Sequence, residues 1–130
     1  MHELLHLADA QRVHVIERTG RTRGGYDPTT RTIRLSPGMS ARTTRSVLAH
    51  ELGHACLGHV PPASSAMRAQ QERQADEWAA SRLITPHAYA EAEEVRGPHL
   101  ASLAFELNVT IELVEAYQRL LRQNLLLAAG

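Results

Sequence analysis

His50, Glu51 and His54 stand in the order His-Glu-x-x-His. On a helix the two histidines fall one turn apart on one face, so both imidazoles can reach a single metal ion. Glu51 follows His50 directly and can lean over a water held by that ion. This is the donor set of zinc-assisted peptide hydrolysis, with the glutamate as general base. A catalytic zinc site takes three protein ligands and keeps a fourth position open, so one more ligand must come from elsewhere. The stretch Gln71 to Ala80 offers Glu72 and Asp76, four apart on one face of a second helix. Glu72 is the candidate third ligand. Asp76, one turn on, is placed to accept the outer N–H of a ligand histidine, expected to be His50, which fixes its tautomer and raises its basicity. Glu77 competes with Glu72 as ligand, but it lies well round the helix and has no acid one turn later. Zn2+ is the expected ion, and the same donors could also hold Mn2+ or Fe2+.

Other residues invite the same chemistry and are weaker candidates. His2-Glu3-Leu4-Leu5-His6 repeats the motif, but at a chain end, where helices fray, and without an acidic partner on a second helix. It reads as a short amphipathic helix burying Leu4, Leu5 and Leu7. A third histidine in the order His-Glu-x-x-His-x-x-Gly-x-x-His would mark a different zinc class. Here Gly58 and His59 arrive out of that register, and His59 reads as a helix C-terminal residue favoured by the macrodipole. Cys56 points away from His54 and reads as a small buried residue. Tyr26, His87, Tyr89 and His99 are polar groups outside the zinc helix that could stabilise an oxyanion, though each reads first as a surface or interface residue.

The elements that must hold these groups follow from pattern. Glu3 to Ala10 reads as a short helix, and Val13 and Val15 alternate with polar neighbours as in a strand. Gly20, Gly24 and Gly25 mark a loop. Thr32 to Leu35 alternates again between the turn signals Asp27-Pro28 and Pro37-Gly38. Ser40 caps a helix from Ala41 to His59, stopped by Pro61-Pro62. A second helix runs from about Ser65 to Leu83, and Thr85-Pro86 opens a third that ends before Gly97-Pro98. Leu100 to Leu107 and Thr110 to Leu121 form two more. Strands first and helices afterwards predict an α+β fold, one small sheet packed on a helical body. The 130 residues suit a single domain, 1–130, with C-terminal helices from about 98–124.

Composition excludes several classes. The formal net charge is zero, which gives no general reason to bind nucleic acid or anionic lipid. All fourteen basic residues are Arg, with eight Arg against four acids in residues 1–46 and six against ten in the rest. That imbalance reads as ordinary solvated surface. One cysteine precludes an internal disulfide, and with no membrane-length run and no secretion signal the reading is cytoplasmic. The apolar tail Leu125-Leu126-Leu127 could pack within the chain or against a partner.

Two further expectations concern partners. The strand at Thr32–Ser36 reads as a sheet edge, with Ile33 and Leu35 inward and its backbone open to an extended peptide. Leu103 to Val114 has the look of a helix-turn-helix core, but its second helix leads with Glu112 and Glu115, which phosphates would repel. Packing behind the peptidase site, or a protein contact, is the preferred reading. An inactive zinc protein that sequesters a regulator is the other rival, and the intact Glu51 argues against it, because sequestration needs no general base.

The runs HELGHACLGH and ERQADEWAASRLITP, with the approach GGYDPTTRTIRLSPGMSARTTRSVLAHELGHA, resemble the ImmA/IrrE-type metallopeptidases of bacteria and their phages. The resemblance covers roughly residues 10–90. It implies a minimal zincin-like fold, a small twisted sheet beside a helix carrying both histidines. It implies His50, His54 and Glu72 as ligands and Glu51 as base. It further implies limited proteolysis of a helix-turn-helix repressor, which relieves repression; composition and spacing say nothing of that substrate.

Overall fold

A computed structural model describes the backbone of residues 1–129 and the side chains of residues 1–124. The order of elements is α1 (His2–Ala10), β1 (His14–Glu17), β2 (Gly24–Asp27), β3 (Thr32–Leu35), α2 (Ala41–Cys56), α3 (Ser65–Leu83), α4 (Pro86–Arg96), α5 (Leu100–Leu107) and α6 (Ile111–Ala129). Six helices and one small mixed sheet make an α+β arrangement consistent with a small zincin-like fold. No described helix is long and apolar enough to cross a membrane.

The sheet has the order β1-β3-β2, with β1 parallel and β2 antiparallel to β3. This corrects two expectations. Thr32–Leu35 is the central strand, so its backbone is paired on both sides and cannot take a peptide. The segment around Gly24 and Gly25 is a strand, β2, at one edge of the sheet. Glycines hide strand alternation because they contribute no side chain to either face. Gly24 is required where it stands, since a Cβ there would meet Val47 Cγ1 at 2.6 Å and the Arg34 carbonyl oxygen at 3.0 Å. The β2–β3 hairpin turns through an Asx turn, with Thr29 N–H donating to Asp27 Oδ1 at 2.9 Å, and through Arg31 at φ 51.

The connection from β1 to β2 crosses the end of the central strand. Arg34 of β3 staples that crossing: its Nη1 donates to the Arg18 carbonyl at 2.8 Å and its Nη2 to the Thr22 carbonyl at 2.7 Å. On the opposite face of β3, Ile33 and Leu35 are buried and pack in the core with Leu48 and Leu52 of α2. The helix α2 thus lies between the sheet and α3, and α6 packs against α3.

The helix ends follow local chemistry. Ser40, Ser64 and Thr85 each accept a backbone N–H from three residues on, at 3.1 Å, satisfying an orphan donor of the first turn. Pro86 occupies the first position of α4. The helix α2 stops at Cys56, short of the His59 expected from sequence. Gly58 takes φ +69. Its N–H donates to the Ala55 carbonyl at 3.2 Å, and the His59 N–H donates to the His54 carbonyl at 3.0 Å. These two bonds form a Schellman turn, and the turn swings His59 back beside His54. The backbone of Leu125–Leu127 continues α6, and the side chains of that apolar tail lie outside the described residues.

Candidate metal centre

The helices α2 and α3 approach closely because small residues face each other across them. Gly53 lies on the Ala75 backbone, and Ala75, Ala79 and Ala80 are fully buried. That approach sets His50 and His54 opposite Glu72. His50 Nε2 is 3.1 Å from His54 Nε2 and 3.0 Å from Glu72 Oε2, while His54 Nε2 is 3.1 Å from Glu72 Oε1. The imidazoles meet edge to face, with ring centroids 4.7 Å apart. Two donors on one tetrahedral zinc, each about 2.0–2.1 Å from it, stand roughly 3.3 Å apart. The nearly equilateral triangle of nitrogen and carboxylate donors fits such an ion. The two histidines are mostly buried, and Glu72 is 55% exposed on its side chain, so the carboxylate side faces solvent.

Glu51 is 7% exposed. One of its oxygens and the ring nitrogens of His50 and His54 lie within 4.8 Å of one another. Burial pushes its carboxyl up from the usual value, and the two neighbouring histidines oppose that rise. A carboxylate with raised basicity beside two histidines that could hold a metal is suited to take a proton from water.

The outer nitrogens of the two histidines meet different partners. His50 Nδ1 is 2.7 Å from Asp76 Oδ1. His54 Nδ1 is 2.8 Å from His59 Nδ1, and His59 Nε2 is 2.9 Å from Gln74 Oε1. Sequence reasoning did not find the His59 contact, because it carried the helix through to His59. Gly58 was the available signal, as the natural left-handed residue after a helix. Glu77 points away from the triangle and pairs with Arg119 Nε at 3.1 Å.

A cavity of about 290 Å³ opens beside the triangle. Its walls come from the start of β2 (Arg23, Gly24), from α2 (Val47, Glu51) and from the head of α6 (Glu112, Leu113). Arg23 Nη2 donates to Glu112 Oε1 at 3.0 Å across it. The Thr110 N–H donates to Ser46 Oγ at 3.1 Å, and Arg45 Nη1 donates to the Asn108 carbonyl at 2.8 Å. The α5–α6 turn is therefore tied to α2, and the acidic head of α6 faces the cavity. Apart from Glu51, these wall residues were not singled out as site residues from sequence, since they come from segments distant along the chain.

Of the four oxyanion candidates, the structure brings only Tyr26 near the triangle, where it lines a second hollow with His54, His59 and Glu72. His87 is exposed and pairs with Glu91. Tyr89 is buried, accepts from Gln118 Nε2 at 3.1 Å and stacks on Tyr117. His99 stands exposed before α5. His2 and His6 lie on α1 with ring centroids 6.5 Å apart, and they form no tight donor group with a third residue among the described residues. Burial pushes the Cys56 thiol up from its ordinary value, which keeps it in the unreactive form.

Comparison with protein families matches residues 8–117 to the model described as Peptidase_M78, IrrE N-terminal-like domain. The curated proteins contain no match to the chain.

Proposed function

The chain belongs to the IrrE N-terminal-like peptidase family, and on that premise we propose that it is a zinc-dependent endopeptidase that makes a limited cut in a helix-turn-helix repressor. The observation that best supports the catalytic half is the donor triangle of His50, His54 and Glu72 with Glu51 alongside. In this reading those three residues hold the ion and Asp76 holds the His50 ring through its Nδ1–H. When bound, zinc supplies Lewis acidity, polarising the scissile carbonyl and making a water acidic near neutral pH. Glu51 takes the proton from that water and passes it to the leaving amine. Mn2+ and Fe2+ suit the same donors.

The substrate strand is assigned to β2. It is an edge of the sheet, and it begins at the cavity wall beside Glu51. An extended segment pairing there gains main-chain hydrogen bonds while one side chain enters the cavity. The repressor as substrate follows from the family resemblance, and a cytoplasmic location, expected from the cysteine count and the sequence pattern, agrees with it. The chain acts as one domain over 1–130, with the helices from about 98–124 forming part of its body, as the packing of α6 on α3 and its place in the cavity wall support. No direct contact with nucleic acid enters this reading.

The experiment incubates the zinc-loaded chain with a candidate helix-turn-helix repressor and identifies products by mass spectrometry. A single internal cut that vanishes in Glu51→Gln is the expected result. A wild-type chain that binds the repressor and never cuts it would instead support a sequestering zinc protein.

A further inference from the structure

We infer that His59 and Gln74 form a second support for the metal-binding ring of His54, a neutral one set against the charged support that Asp76 gives His50. The inference rests on the metallopeptidase reading and extends it to residues outside the ligand set. His54 turns Nε2 toward His50 and Glu72 and turns Nδ1 toward His59. An imidazole that offers its Nε2 lone pair to a metal carries its proton on Nδ1. The atom 2.8 Å away, His59 Nδ1, must then present a lone pair. Its own proton therefore sits on Nε2, 2.9 Å from the Gln74 carbonyl oxygen, which accepts it. Every proton in this chain has one place. The other His59 tautomer would set two N–H groups against each other at one end and leave two acceptors facing at the other.

The backbone explains why the relay forms. The Schellman turn through Gly58 brings His59 back over His54, and the rings lie 5.0 Å apart, edge to face. Gln74 stands on α3 between Glu72 and Asp76, so the relay ties the end of α2 to the helix that carries the carboxylates. The two histidines are thus held in unlike ways. Asp76 brings a negative charge to His50, whereas His59 orients His54 and adds none. A second carboxylate in that position would drain positive charge from the ion and blunt its Lewis acidity. His59 is a positioning residue in this arrangement.

The test measures zinc affinity of the full chain by competition with a chromogenic chelator, for wild type, His59→Leu and His59→Asn. Asn carries an acceptor oxygen where His59 has Nδ1, and Leu has a similar shape with no acceptor. His59→Leu is expected to weaken zinc binding about 10- to 100-fold, with His59→Asn within about threefold of wild type. A Leu variant equal to wild type, or an Asn variant that falls as far as Leu, would overturn the inference and leave His59 a packing residue. A wild-type chain that takes up no zinc would overturn the metallopeptidase reading and this inference together. Should the Leu variant not fold, nitrogen-15 spectra of zinc-loaded wild type decide. A protonated Nε2 and bare Nδ1 on His59 are expected, and the reverse tautomer is fatal.

Discussion

Gly53 rests on the backbone of Ala75: a Cβ built on Gly53 would stand 3.0 Å from the Ala75 carbonyl oxygen and 3.2 Å from its Cα. This contact sets the spacing of α2 and α3, and the spacing sets how near Glu72 comes to the two histidines. Gly53→Ala pits two effects against each other. Alanine gains about 1 kcal/mol in helix propensity, while forcing a methyl into a packed contact costs about 1–3 kcal/mol. The neighbour is helix backbone and cannot swing aside, so the clash wins. The variant is expected to melt earlier and to bind zinc about tenfold more weakly, at the low end for a disturbed metal site. Thermal unfolding and chelator competition read the two effects separately.

Removing the proposed base is expected to leave zinc binding intact. Glu51→Gln keeps His50, His54 and Glu72, so zinc content by elemental analysis should match wild type. Peptide cleavage should fall by about 10²- to 10⁴-fold or more, the usual contribution of a positioned general base. A variant that loses its zinc would make Glu51 a ligand instead.

Glu72 and Glu77 separate cleanly. Glu72 touches both histidines, and Glu77 is engaged by Arg119. Glu72→Ala is expected to release most of the zinc, while Glu77→Ala retains it and loses only the partly buried ion pair to Arg119. Metal per chain measured on both variants checks the assignment, and retention in Glu72→Ala would send the third ligand elsewhere.

The metal-free chain should respond to pH in the opposite sense to the loaded one. Burial alone would lower the His50 pKa, but hydrogen bonds to Asp76 and Glu72 outweigh it and raise the value from 6.5 to about 10. That stabilisation is whole below about 6.5 and is lost as pH rises through about 10. Hydrogen bonds from His50 and His54 hold Glu72 well below its usual 4.5, so its contribution is present above 4.5 and lost as pH falls below that. The His50 and Glu72 contributions together thus favour the metal-free fold most between about 4.5 and 6.5. Zinc needs His50 Nε2 without its proton, so its stabilisation grows with pH. Melting temperatures across pH, with and without zinc, should show the two slopes diverge above about 6.5. Parallel curves there would contradict the assignment of His50 as a ligand.

The site's helices were legible because their signals are local. A histidine pair at helical spacing, a carboxylate pair at the same spacing and the Ser40 cap before α2 depend on near neighbours only. The sheet was half legible. Val13, Val15, Ile33 and Leu35 declare strands by alternation, but no local pattern reports strand order, and the central place of Thr32–Leu35 comes from pairings on both sides. The strand β2 escaped because Gly24 is selected by what presses on it, Val47 and the Arg34 carbonyl, and not by its own pattern. His59 was misplaced for a smaller reason: a helix end read one turn too late carries its histidine to the wrong side.

The groups that would grip the ion and orient its ligands all lie between residues 50 and 76, on one pair of adjacent helices and the turn between them. Closing so short a loop costs little chain entropy, so this hairpin can gather its donors from within one compact stretch of sequence. The surfaces that would choose a substrate, β2 and the head of α6, come from outside that stretch, on either side of it. Grip and choice are thus written in separate stretches of sequence, and a lineage can revise the second while leaving the first untouched.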